Sequence, residues 1–261
     1  VDLSVYRNFL AELAHASGKF LCPYFARGLA SEGAATLAVE HKADQSPVTE
    51  ADRGAEALLR EKINARFPAH GIIGEEHGNE RDGADFVWVL DPIDGTKSFI
   101  SGVPLWGTLI ALLHNGAPIL GAIHQPILGQ LLIGDGETAE LNGRRVRTRA
   151  TTTLSEATLL TSDTVNLDAQ MGAARASALL ARARIARTWG DCYGYLLVAT
   201  GQADAMLDPI MNPWDIAALV PIIRGAGGII SDWTGGPAYP AEATIAAATA
   251  ELHAALLAEL T

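Results

Sequence analysis

The sequence predicts a mixed α and β protein in two halves, helices packed on an antiparallel sheet and then an alternation of strands and helices. Three patterns predict it. Two amphipathic helical periodicities occupy most of the first 67 residues, a meander with hairpin turn signals runs from Leu105 to about Val146, and strand-like and helix-like runs alternate after residue 155. Residues 4–25 space Val5, Phe9, Leu10, Leu13, Phe20 and Leu21 helically, with Asp2 and Ser4 as available caps. After a polar stretch to about Pro47, Thr49–Phe67 reads as a second helix with Ala51, Ala55, Leu58, Leu59, Ile63 and Phe67 on its apolar face. Ile72-Ile73-Gly74 is a short strand, and Phe86–Leu90 an apolar strand that breaks at Asp91. In the meander, Asn115-Gly116, Asp135-Gly136 and Asn142-Gly143 supply the turns. Ala150–Ser155 is the candidate linker, dividing the chain into residues 1–149 and 150–261. Beyond it come Thr158–Thr161, Met171–Ala183, Ala186–Thr188, Tyr193–Thr200, Ala205–Leu207, Ile216–Gly225, two strands at Ile229–Ser231 and Thr244–Ala248, and a closing helix.

Composition narrows the function. With 261 residues, 49% of them hydrophobic, the chain can bury a large core. Thirty acidic residues against 19 basic ones, a formal −11, argue against a nucleic-acid partner. The densest basic stretch, Arg144 to Arg149, reads as a solvated hairpin. Cys22 and Cys192 make neither a disulfide framework nor a zinc motif. No apolar run reaches bilayer length and no secretory signal is visible, so a cytoplasmic protein without a membrane partner is expected.

The chemistry lies in acidic segments at the ends of elements: Glu75-Glu76 after a short strand, Asp91-Pro-Ile-Asp94-Gly-Thr96 after the apolar one, Trp214-Asp215 opening a helix, and Asp52 in the first turn of another. Carboxylates converging in one crevice repel one another unless protonated or bridged by a cation. An all-oxygen set without His or Cys selects a hard ion, Mg²⁺ before Mn²⁺ or Ca²⁺. Gly95 permits an unusual backbone turn before Thr96, and a helix starting there would aim N–H groups at a phosphate. Bland roles stand beside these. Thr49-x-x-Asp52 is also a capping-box start, Asp94 and Asp215 also read as helix caps, and Trp106, Trp189, Trp214 and the seven histidines read first as packing or surface residues.

Taken in order, Gly74-Glu75-Glu76, Asp91-Pro-Ile-Asp-Gly-Thr96 and Trp214-Asp215 resemble the three metal-binding motifs of the inositol monophosphatase superfamily, with Ser46-Pro-Val-Thr-Glu-Ala-Asp52 and Gly225-Ala-Gly-Gly228 fitting outside them. Within it the chain is most similar to the histidinol-phosphate phosphatase branch, through Asp94-Gly-Thr-Lys-Ser-Phe99, Gly102–Leu112 and Arg187–Gly194. Ser98 stands where inositol monophosphatases usually carry Asn.

The resemblance implies a layered αβαβα sandwich, a magnesium-dependent phosphomonoesterase using two or three ions (Mn²⁺ as substitute), and a homodimer. It implies that Glu75, Asp91 and the Ile93 carbonyl hold one ion and that Asp91, Asp94 and Asp215 hold the second. It further implies that Gly95 and Thr96 bind phosphate through backbone N–H groups, and that Asp52 and Thr96, with Glu75 at the first ion, handle the attacking water. The substrate it implies is a small phosphate monoester, histidinol phosphate first, an inositol or sugar phosphate as the alternative, and a regulatory interaction protein on the same fold as the other class. Asp191 and Asp208 are the candidates for a cationic leaving group, since carboxylates attract an ammonium or imidazolium, although a surface or cap role suits them as well. Lys42 and Asp44 lie on a polar loop that edges the metal site in the family or is simply solvated.

Overall fold

The computed structural model describes residues 2–29, 39–41 and 47–260. Helices α1 (Ser4–Leu29) and α2 (Glu50–Arg66) lie on an eight-stranded sheet, and β1 (Val39–His41) pairs with β2 (Pro47–Thr49) just before α2. The large sheet draws on β3 (Gly71–Gly74), β4 (Gly78–Glu80) and β5 (Phe86–Asp94), which leads into helix α3 (Thr96–Ile100). Its other strands are β6 (Gly107–His114), β7 (Ala117–Gln125), β8 (Gln130–Gly134), β9 (Ala139–Leu141) and β10 (Arg144–Arg145). The order β10-β9-β8-β7-β6-β5-β3-β4 is antiparallel except where β3 runs parallel to β5. All three expected hairpin turns join neighbouring strands, and Asn115 and Asn142 adopt the positive φ that such turns demand.

The second half interleaves β11 (Thr158–Thr161), α4 (Thr164–Met171), α5 (Ala173–Arg182), β12 (Ile185–Arg187), α6 (Asp191–Ala199) and β13 (Ala205–Asp208). Then come α7 (Pro213–Ile216), α8 (Leu219–Gly225), β14 (Ile229–Ser231), β15 (Thr244–Ala247) and α9 (Ala250–Leu260). Its five strands order as β12-β11-β13-β15-β14.

Alternating side chains build the layers. Along β5, Trp88 and Leu90 pack with Leu10, Leu13, Leu59 and Ile63 of α1 and α2, while Val87 and Val89 pack with Tyr195, Leu196 and Ile222 of α6 and α8. In the small sheet, Leu160, Met206 and Ala246 face α6 and α8, and Leu159, Leu207 and Ile245 face Leu167, Leu179 and Leu252 of α4, α5 and α9. Helices, sheet, helices, sheet, helices: the expected αβαβα sandwich is the fold. Both sheets are apolar on both faces, which is why their strands read as continuous apolar runs.

Several elements differ from expectation, among them α1, which runs on past residue 25 to Leu29. The helix expected at Met171–Ala183 is α5, which begins only after Gly172 (φ 84°), and before it runs α4, a helix not expected, capped by Asp163 through Val165 and Asn166. The helix expected at Ile216–Gly225 is split into α7 and α8. β5 does not end at Leu90 but bends and runs on to Asp94.

Candidate active site

That bend makes the site. Residues three apart on a regular strand point to opposite faces. Between the pairs Asp91–Leu109 and Asp94–Gly107, β5 spends three residues against two on β6, an irregularity that brings both carboxylates to one side. Local bonds hold the bend: Ile93 N donates to Asp91 Oδ1 (3.0 Å), Thr108 Oγ1 to the Pro92 carbonyl (2.8 Å), and Thr96 Oγ1 to the Ile93 carbonyl (3.0 Å). Gly95 has φ 90°, and a Cβ there would lie 2.9 Å from the Leu105 carbonyl and 3.0 Å from Asp191 Oδ2, so only glycine fits. Helix α3 does start at Thr96.

Asp215 arrives from the first turn of α7, its Oδ2 accepting from Asn212 N (2.7 Å) and Nδ2 (3.2 Å). Carboxylate oxygens of Asp91, Asp94 and Asp215 lie within 4.8 Å of one another. Glu75 follows β3, and its backbone N donates to the Leu90 carbonyl (3.3 Å), next to Asp91. Burial first, then the charges of Glu75, Asp94 and Asp215, push the Asp91 carboxyl well above the ordinary range. Desolvation, then Asp191 and Asp215, do the same to Asp94. Burial, opposed by bonds from Asn212 and aided by the charge of Glu75, brings Asp215 to about 7.

Asp52 is the third residue of α2 and accepts from Thr49 N (2.8 Å) and Thr49 Oγ1 (2.6 Å), so its capping role is real. It is also 1% exposed, and burial, with a smaller contribution from Glu75, raises its pKa. One turn on stands a residue that sequence reasoning missed. Glu56, fully buried, accepts from Glu76 N (2.7 Å), His77 N (3.1 Å) and Arg60 Nε (2.7 Å), fixing the turn that carries Glu75. Asp52, Glu56 and Arg60, spaced by four, form a buried polar stripe, whereas Leu58, expected on the buried face, is only half-buried. The i,i+4 spacing of Glu56 and Arg60 was the available signal, and it reads the same on an exposed helix.

Asp191 and Asp208 line one cleft of about 370 Å³ with Asp94 and Asp215. Ser162, also unforeseen, ties them together: its Oγ accepts from Asp191 N (2.7 Å), and its N donates to Asp208 Oδ1 (3.3 Å). Burial first raises Asp191 to about 7, with Asp208 adding to the rise and Lys97 opposing it, while burial raises Asp208 to about 6. The next residue, Cys192, donates its backbone N–H to Asp94 Oδ2. Lys97 is the only cationic side chain among the described residues lining the cleft, 3.7 Å from Asp163. Trp106 is buried, Trp189 exposed, and Trp214 packs against the core. Lys42 and Asp44 lie outside the described residues. No helix among the described residues is long and apolar enough to cross a membrane.

The sequence model of the inositol monophosphatase family matches residues 2–261. The chain belongs to the inositol monophosphatase family. It is 43% identical over 225 residues to a histidinol-phosphatase of Chlorobaculum parvum, covering 86% of this chain and 84% of that one. It is 44% identical over 226 residues to the bifunctional phosphatase IMPL2 of Arabidopsis thaliana, covering 85% of this chain but 63% of that longer protein. Among solved structures it is similar to an inositol monophosphatase of Zymomonas mobilis, with a TM-score of 0.86, 35% identity, and 100% and 99% of the two chains covered. This member of the inositol monophosphatase family is a phosphatase.

Proposed function

We propose that this phosphatase hydrolyses L-histidinol phosphate to L-histidinol and phosphate, using Mg²⁺. The observation that carries the substrate is the pair Asp191 and Asp208, one half-buried and one buried carboxylate lining the same cleft as Asp94 and Asp215. Burial holds both above their ordinary pKa, and a cationic leaving group beside them favours ionisation. The amine and imidazole of histidinol supply such charge; inositol and glycerol do not.

The donor set fits a divalent ion. Asp91 is 2% exposed with three carboxylates for neighbours, a charge arrangement that a hard cation relieves. Glu75, Asp91 and the Ile93 carbonyl would hold one Mg²⁺, and Asp91, Asp94 and Asp215 another, Mn²⁺ being the natural substitute. Ions so bound supply a water of lowered pKa and charge neutralisation at the departing oxygen.

The chain's own residues do the rest. Asp52, anchored by Thr49, accepts a hydrogen bond from the attacking water and sets its direction. The Thr96 hydroxyl, held toward the Ile93 carbonyl, is the second group on that water. The backbone N–H groups of Gly95 and Thr96 bind phosphate oxygens, and Asp191 and Asp208 orient the alcohol. No protein nucleophile is needed. A phosphate-release panel with histidinol phosphate, inositol 1-phosphate, glycerol 2-phosphate and adenosine bisphosphate at matched Mg²⁺ tests the assignment. A clear preference for inositol 1-phosphate would replace it with the second reading, which the likeness to the Zymomonas mobilis protein favours.

A further inference from the structure

The chain is strongly acidic, and some of its fifteen arginines are paired with a carboxylate. Arg7, Arg53, Arg60, Arg81, Arg149 and Arg182 each hold a carboxylate. Arg145, Arg147 and Arg224, all exposed, hold none among the described residues, yet all three line one hollow of about 240 Å³ at the opposite end of α8 from the cleft residue Leu219. Glu137 lines it too and pairs with none of them. We propose that this hollow is a second anion site, for a compact oligophosphate such as pyrophosphate.

The placement is built rather than accidental. Arg145 and Arg147 flank Val146, whose side chain packs on the core, and both line the hollow. Val146 N donates to the Ala139 carbonyl (3.0 Å), and Thr148 N to the Ala226 carbonyl (3.0 Å), pinning the segment to β9 and to the end of α8. A Cβ on Gly225 would sit 2.3 Å from the Thr138 carbonyl, so α8 closes against the β8–β9 connection and presents Arg224 at the rim. Arg224 suits a helix C-terminus whatever else it does. That account does not extend to Arg145 and Arg147. Guanidinium forks match phosphate oxygens bidentately, and three of them match an anion with more than one phosphoryl group. The hollow is smaller than the usual 300–1,000 Å³ of organic-ligand pockets, which favours a bare oligophosphate over a whole nucleotide.

Charged side chains on an edge strand also discourage sheet-to-sheet pairing, and that role needs no ligand. Titration calorimetry with pyrophosphate separates the two. The full-length chain is used in chelator, where the acidic cleft repels the anion, at about 0.15 M salt. One saturable site per chain is expected, weakened at least tenfold in R145Q/R147Q and unchanged in R184Q, which removes an exposed arginine elsewhere. Unfolding temperatures without ligand verify that each variant is folded. No saturable binding by the wild type, or equal binding by R145Q/R147Q, overturns the proposal.

Discussion

Two sets of sequestered carboxylates sit in this protein, and only one is given a cationic side chain as partner. Glu56 and Asp204 are both fully buried. Glu56 has Arg60 at 2.7 Å and two backbone N–H donors, and Asp204 has Arg149 at 3.1 Å and Thr158 N at 2.6 Å. Asp91, buried, and Asp94 and Asp215, half-buried, accept from Ile93 N, Cys192 N and Asn212, but their charged neighbours are one another. The first set is charge paired by the chain itself; the second has no paired cation from the chain among the described residues. Burial alone does not separate them. What stands beside the carboxylate does.

The sharpest way to break this contrast is Asp91→Asn. Phosphate release should fall by roughly a thousandfold, ~4 kcal/mol of transition-state stabilisation. The metal-free variant should unfold no more easily than the wild type, because a repelling charge has been removed. Near-normal turnover at saturating Mg²⁺, or a marked loss of metal-free stability, would put Asp91 in the first set.

Arg60→Met tests the other side. It leaves Glu56 buried without its cation and should cost about 3 kcal/mol in urea unfolding. Adding Glu56→Gln should restore much of the loss, and a neutral single variant would mean that backbone donors alone sustain Glu56.

Asp191→Asn and Asp208→Asn each keep the shape and remove a charge. Each should lose about 1.5–3 kcal/mol in kcat/KM for histidinol phosphate and much less for glycerol 2-phosphate. Equal losses on both substrates would move these residues from recognition to support of the site.

The smallest effect per step is a pH slope. Asp215 and Asp191 at about 7 and Asp208 at about 6 lie above the unfolded value of 3.8, so between those limits the folded chain holds more protons than the unfolded one. Stability of the metal-free protein should therefore fall as pH rises from about 4 to 7, each group contributing at most about 1.4 kcal/mol per pH unit. Below the unfolded pKa the penalty vanishes. Mg²⁺ should flatten or reverse the slope in a series of thermal melts, and a metal-free chain that gains stability over this range would contradict the assignment.

What could be read in the residues was what is local. Asp91 to Thr96 carries its chemistry in six consecutive positions, and Trp214-Asp215 marks a helix start and a carboxylate in two. The sandwich was legible in part, because turn chemistry and periodicity act over short stretches. The bulge that turns Asp91 and Asp94 the same way was not, since it is a property of β5 against β6 rather than of either strand. Ser162 escaped for the same reason, its partners lying 29 and 46 residues away. Glu56 and Arg60 look like any solvated helical pair until the Glu75 turn folds over them.

Asp191 has a consequence for how this enzyme can change. Its φ is 52°, in the left-handed region that glycine, asparagine and aspartate tolerate and that β-branched or bulky residues resist. The adjacent N–H, from Cys192, is bound to Asp94. A mutational search for new substrate preference therefore meets a narrow gate here. Asn and Gly are open, and almost anything larger must re-shape the backbone that also holds Asp94. Innovation at this wall should run instead through neighbours such as Asn166, Ile210 and Met211, which line the same cleft on ordinary backbone and leave Asp94 undisturbed.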